Sequence, residues 1–117
     1  MPSADITVIP TGGSTAIDLA DLAATVKALP SPQLVINNSA YEGGGTFYVN
    51  VVKQTGFLES FTLTIDSSPV TTGTATSNIT DGWWGYSCTS VPTSTGTHTF
   101  KVVTSITALT ATATYTI

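Results

Sequence analysis

Between Asp81 and Cys88 the chain reads DGWWGYSC, which puts two tryptophans, a tyrosine and the only cysteine of a 117-residue protein within six positions. A cysteine does chemistry as a thiolate, which needs a base or a positive charge beside it. The chain has one histidine, His98, and three lysines, none of them within the cluster, so Cys88 reads as a buried residue and not a nucleophile. With no second cysteine there is no disulfide to close. His98 stands on the strand-like run HTFKVV with the parity of Phe100 and Val102 and reads as a half-buried structural residue, because a zinc site needs three or four ligands. Asp18 and Asp21 fall in a helical pattern near its positive end, and Glu42, Glu59, Asp66 and Asp81 sit singly in turns or at strand edges. A glycosidase pair of carboxylates would have to be brought together from distant positions. EGGGT (42–46) has no following lysine and leads into a strand, so it is not a phosphate loop. The expectation is a protein that is not an enzyme, with no catalytic residues, no metal and no cofactor.

Composition points the same way. Charged residues make up 9% of the chain, against about 25% in an average soluble protein, while 24 threonines and 12 serines supply the polarity. Hydroxyls keep this surface wet. Three lysines without arginine, at a net charge of −4, form no phosphate-tracking patch, which excludes nucleic acid as the expected partner. No run of 18 apolar residues and no basic leader followed by an apolar stretch is present, so neither membrane insertion nor export is expected. The threonine-rich, β-branched composition suits an exposed module, and a virion protein, assembled in the host cytoplasm and released by lysis, reconciles the two. A mature module or excised fragment at a cell surface is the alternative.

These residues need elements to position them, and the chain changes character near Pro30 and Pro32. Residues 1–30 form one expected unit: a short strand-like arm around Ile6 and Val8, a flexible break at 11–14, then TAIDLADLAATVKAL, the one helical pattern. Thr15 caps it, Asp18 completes a capping box and Pro30 stops it. Leu19, Leu22, Val26 and Leu29, spaced 3, 4 and 3, make a seam of a and d positions. A helix of about 14 residues is marginal alone, so the stripe needs a partner, either its own domain or another subunit. In residues 31–117 the period is two: Phe47, Val49 and Val51, then Phe61, Leu63 and Ile65, then Leu109, Ala111, Ala113, Tyr115 and Ile117 alternate with hydroxyl-bearing or polar residues. Turn signals at 43–45, 54–56, 66–69, 71–73, 80–82 and 94–96 divide the run into about seven short strands. That is the arithmetic of an all-β, two-sheet antiparallel sandwich.

Neighbouring side chains on a strand point to opposite faces, so Trp83 and Trp84 cannot both lie inside. Cysteine is among the most buried residues, and Trp84, Tyr86 and Cys88 share its parity. These three are expected in the core with Phe47, Phe61 and Phe100, and Trp83 is expected outside beside Gly85, as a contact surface or as an aromatic covering the sandwich edge. Tyr41 and Tyr48 are further outward candidates.

Asp81, Gly82, Trp84 and Tyr86, followed by Gly96, Thr97, His98 and Thr99 and a threonine-rich final strand, resemble the C-terminal half of bacterial immunoglobulin-like domains. The resemblance covers about a third of the chain and implies an Ig-like β-sandwich. The family's aspartate-rich bend before the last strand is replaced by TSITAL, so no calcium site is implied there. A second threading takes Tyr86-x-Cys88 as the end of a tyrosine-corner strand, but two more strands are expected after Cys88. Domains of this kind serve as spacers and adhesive modules on cell surfaces and on phage capsids, tails and fibres. The resemblance therefore suggests a class of role and no particular ligand, and with the composition it leads to the expectation of a virion structural protein, a phage capsid decoration or head or tail fibre component. It would attach to other virion proteins or self-associate through Leu19, Leu22, Val26 and Leu29, with weak contact to host-surface carbohydrate through Trp83. An Ig-like or carbohydrate-binding adhesion module of a bacterial surface is the alternative, and a small hydrolase a distant third.

Overall fold

The computed structural model describes residues 31–117, and the chain divides into two units, Met1–Ser31 and Pro32–Ile117. The arm, the helix and the stripe of Leu19, Leu22, Val26 and Leu29 lie outside the described residues. Within them the period-two runs become seven strands: β1 (Gln33–Gly43), β2 (Thr46–Gln54), β3 (Phe61–Ile65), β4 (Ser68–Pro69), β5 (Gly82–Cys88), β6 (Thr97–Thr104) and β7 (Thr110–Thr116). Every pairing is antiparallel, in two sheets ordered β1-β2-β5 and β4-β3-β6-β7. The chain changes sheets after β2, after β4 and again after β5. The described residues are all-β and contain no helix. The architecture is a two-sheet sandwich compatible with an immunoglobulin-like fold. Two strands, β6 and β7, follow Cys88 in the opposite sheet, which is the threading preferred from sequence.

Alternation decides which face meets the other sheet. β2 turns Phe47, Val49 and Val51 inward, β3 Phe61, Leu63 and Ile65, and β6 Phe100 and Val102, all buried. Register sets Val49 opposite Tyr86 and Phe47 opposite Cys88, and the two sheets meet through aromatic pairs, Phe47 with Phe100 (ring centroids 5.7 Å apart) and Phe61 with Tyr86 (6.1 Å). Such rings bury large areas in offset or edge geometries. Truncating any one of them would cost about 3 to 5 kcal/mol. Ile79 and Val91, from the segments flanking β5, close the core.

The strands define two ends. At the entry end Gln33 begins β1 opposite Gln54, Lys53 pairs with Gly82, and Phe61 pairs with Thr104, so the segments 54–60, 80–82 and 105–109 gather there. At the hairpin end lie the Gly43–Gly45 turn, the two-residue turn Asp66-Ser67 between β3 and β4, and the 89–96 connection. Gly43, Gly44 and Gly45 all have positive φ (86°, 61° and 78°), a backbone that glycine adopts without a Cβ clash.

Candidate functional site

Three clusters hold the ionisable side chains that sequence reading left isolated. The first is at the entry end, around Glu59, which is buried. Its carboxylate accepts hydrogen bonds from the Thr55 hydroxyl (2.6 Å), the amides of Ile106 (2.8 Å) and Thr107 (2.9 Å), and the Thr107 hydroxyl (3.0 and 3.2 Å). Burial by itself raises its pKa. Hydrogen bonds from Thr55, from the amides of Thr107 and Ile106 and from the Thr107 hydroxyl outweigh that and bring it down to about 2. Glu59 therefore closes the 105–109 bend, the place where TSITAL lacks aspartates of its own, and its backbone pairs with Ile79.

The second cluster lies beside it. Lys53 is fully buried at an inward position of β2, where its ammonium meets Asp81 Oδ1 (2.9 Å) and the Phe57 carbonyl. Asp81 also accepts the amides of Thr55 (3.0 Å) and Gly56 (3.0 and 3.2 Å), and the Lys53 bond, followed by the Thr55 amide, lowers its pKa. Asp81 thus ties the start of β5 to the end of β2.

The third cluster is at the hairpin end. His98 is buried, deeper than the half-burial expected from sequence, because its ring stacks near Tyr115 (5.1 Å) and both nitrogens face acceptors. Nε2 donates to the Ser94 carbonyl (2.8 Å), and Nδ1 lies 2.6 Å from Asp66 Oδ2. A carbonyl and a carboxylate only accept, so the geometry fits an imidazolium donating twice. The bond to Asp66, then that to Ser94, raises the His98 pKa, and the bond to His98 lowers that of Asp66. Asp66 and Ser67 both have positive φ (50° and 68°), which a two-residue hairpin turn demands and non-glycine residues resist. The Thr99 amide on Asp66 Oδ1 (2.9 Å) helps hold them there.

Glu59, Asp66 and Asp81 each stand apart from the other carboxylates, as the sequence suggested, and each is engaged with donors from residues remote in the chain. Cys88 is fully buried, and burial pushes its thiol up to about 11, the reverse of an activated nucleophile. Its candidate base, His98, has both ring nitrogens occupied. No group of three or more His, Cys, Asp or Glu side chains converges among the described residues.

Of the residues proposed for contact or core, Tyr86, Cys88, Phe47, Phe61 and Phe100 are buried together, and Trp83 is 69% exposed. Trp84 is half-buried: it packs against the core from near the start of β5 and donates its indole N–H to the Thr80 carbonyl (2.9 Å). Tyr41 is not outward, as expected, because it stacks on Tyr115 of the opposite sheet (5.0 Å, 10° between planes) and its hydroxyl accepts the Gly45 amide. Tyr48 is outward and lies over Gly85, where an added Cβ would stand 3.2 Å from its hydroxyl. Val35, Val52 and Trp83 form one row across the outer face of β1-β2-β5. A cleft of about 250 Å³ opens at the hairpin end between the β3–β4 turn and residues 89–92, lined by Ile65, Val70, Val91 and Pro92 among others. Lys53 was missed, although its parity with Phe47, Val49 and Val51 was the signal that would have found it. No protein-family model, curated protein or solved structure matches the chain.

Proposed function

We propose that the chain is a non-enzymatic structural protein of a virion, a phage capsid decoration or head or tail fibre component whose Ig-like sandwich is displayed on the particle. One observation carries the reading: Glu59, Asp81, Lys53, Asp66 and His98 are each engaged in holding a turn or loop in place, and Cys88 is sealed in the core. Side chains arranged this way support a rigid scaffold rather than a reaction. The hydroxyl-rich, weakly charged surface suits display, and the resemblance to Ig-like modules supplies the setting. Residues 1–30 attach the domain, through Leu19, Leu22, Val26 and Leu29, to virion proteins or to further copies.

Sedimentation of the purified full chain tests this. An oligomer is expected, and deletion of residues 1–30 should leave a folded monomeric β domain. A monomer at every concentration, or a truncated chain that fails to fold, contradicts the reading.

The exposed Trp83 favours a second reading, an adhesive module for neutral surface glycans. Its ring shares the outer face of β1-β2-β5 with Tyr48. Glycan-dependent quenching of tryptophan fluorescence, lost in Trp83→Ala, would favour it.

A further inference from the structure

The described sheets have four edge strands, β1, β4, β5 and β7, and an edge strand offers N–H and C=O groups to any further strand. Three of the four are blunted. β1 breaks register at Ile36–Asn38 and again at Tyr41–Gly43, and β4 is two residues long and ends in Pro69. β5 contains Gly82 and Gly85 and is flanked by residues 71–80, where the carbonyls of Thr71, Ala75 and Thr80 accept bonds from Thr89, Tyr86 and Trp84. β7 has none of these devices: TATATYT runs in unbroken register along β6, without charge, proline or glycine. β1 meets it across the sandwich through Tyr41 and Tyr115 but belongs to the other sheet. Gly96 and Ile117 exchange both backbone bonds (2.9 and 3.0 Å), and the Thr104 amide donates to the Leu109 carbonyl (3.0 Å). Antiparallel ladder bonds alternate sides, so the odd-numbered residues of β7 bond β6, and the N–H and C=O of Thr110, Thr112, Thr114 and Thr116 point away from it. No other backbone group among the described residues meets these four.

We infer that β7 is a self-pairing edge, on which the β7 strands of two copies of this chain run antiparallel about a two-fold axis at Ala113 and join their four-stranded sheets into one. The strand is its own complement. That axis sets Thr112 against Thr114, and Thr110 against Thr116, of the second copy, so the outward threonines meet one another and exchange about eight backbone hydrogen bonds. Parity is kept as well. Hydroxyls stay on the outer face, where Thr97 and Thr116 already bond side chain to side chain (3.0 Å), and on the inner face Ala111 lies opposite Tyr115, small against large. Charge does not oppose the pairing. Lys101, the one charged side chain on the outer faces of β3, β6 and β7, stands beside Thr112, three strand spacings or about 14 Å from its counterpart and beyond the Debye length of about 10 Å. One strand pair is a small interface, so the pairing is weak in dilute solution and forms where copies are crowded. The inference is independent of the virion reading and of residues 1–30.

The test is amide hydrogen exchange of the full chain, read by NMR at about 1 mM and after about twentyfold dilution. Thr110, Thr112, Thr114 and Thr116 should exchange at least about twofold more slowly at the higher concentration, while Ala111, Ala113 and Tyr115, already bonded to β6, should not change. Thr114→Lys places like charges diagonally across the axis, about 7 to 8 Å apart, and should abolish the difference. Thr112→Pro removes only an outward N–H, which an edge strand tolerates, and should do the same if the lysine variant is misfolded. Fast exchange of all four at both concentrations overturns the inference, as does a difference that survives Thr114→Lys or one confined to β1 or β5. If the four are slow at both concentrations, sedimentation decides. In an oligomer the pairing stands only if Thr114→Lys releases them; in a monomer the edge is filled by a strand of the chain itself, and the inference falls.

Discussion

Glu59 at one end of the sandwich and Asp66 at the other both hold a turn through a carboxylate, but in opposite surroundings. Glu59 is buried and meets only neutral donors, two hydroxyls and two amides. Asp66 is exposed and shares its load with the imidazolium of His98. A buried carboxylate ringed by fixed donors resists protonation because each donor would lose its acceptor. An exposed ion pair is screened by solvent and depends on two titrations rather than one. Glu59 is thus held by neutral hydrogen bonds, with the Lys53–Asp81 pair beside it, whereas Asp66 is held chiefly by the charge of His98. The exposed apolar side chains Phe57, Leu58 and Ile106 lie on the loops at the Glu59 end.

The largest expected effect that would break this comparison is at Glu59. Replacing it with Gln keeps the shape but turns an amide N–H₂ toward donors, leaving buried amides and hydroxyls unpaired. Urea unfolding of Glu59→Gln should show a loss of about 2 to 4 kcal/mol. A loss below about 0.5 kcal/mol would mean that the 105–109 bend holds itself.

Next comes the tryptophan pair. Trp84→Ala removes core contact and the bond to Thr80 and should cost about 2 to 3 kcal/mol, whereas Trp83→Ala, on the outer face, should fall within about 0.5 kcal/mol of the parent. Equal losses in parallel titrations would overturn the assignment of faces.

The smallest effect is the pH profile of the hairpin end. His98 has a raised folded pKa, so its stabilisation is present below its ordinary value of 6.5 and fades as pH rises through the folded value. Asp66 has a lowered one, so its contribution is present above 3.8 and fades as pH falls. The melting temperature of the parent should therefore decline modestly as pH rises above 6.5, and Asp66→Asn should flatten that decline. An unchanged slope in the variant would remove the pair from the account of this end.

Strand parity made much of this legible in the sequence. Phe47, Val49 and Val51 on one face, and Trp83 opposite Trp84, follow from a period of two, and the glycine and aspartate turns mark where strands stop. The anchors were not legible, because each joins residues far apart: Glu59 to Ile106, Lys53 to Asp81, Asp66 to His98. Alternation gives the face a residue points to but not what waits for it across the sandwich. Trp84 and Tyr41 show the limit: Trp84 keeps its inward parity opposite Val51 but is only half-buried, its indole N–H bonded to Thr80, and Tyr41 turns inward because β1 sets it opposite Phe47, a register that alternation within one strand does not reveal.

The claim that these ionisable groups are structural anchors and not reactive ones is tested most directly at Glu59. Its side-chain carboxyl carbon can be followed by NMR through an acid titration of the folded full chain. An anchor should titrate at about 2, well below its ordinary 4.5, and the contribution of Glu59 to stability should be constant above about pH 4.5 and fall from there toward pH 2. A carboxyl titrating instead between about 5 and 7, the range of a general acid poised for catalysis, would contradict the scaffold reading and reopen the search for a reaction.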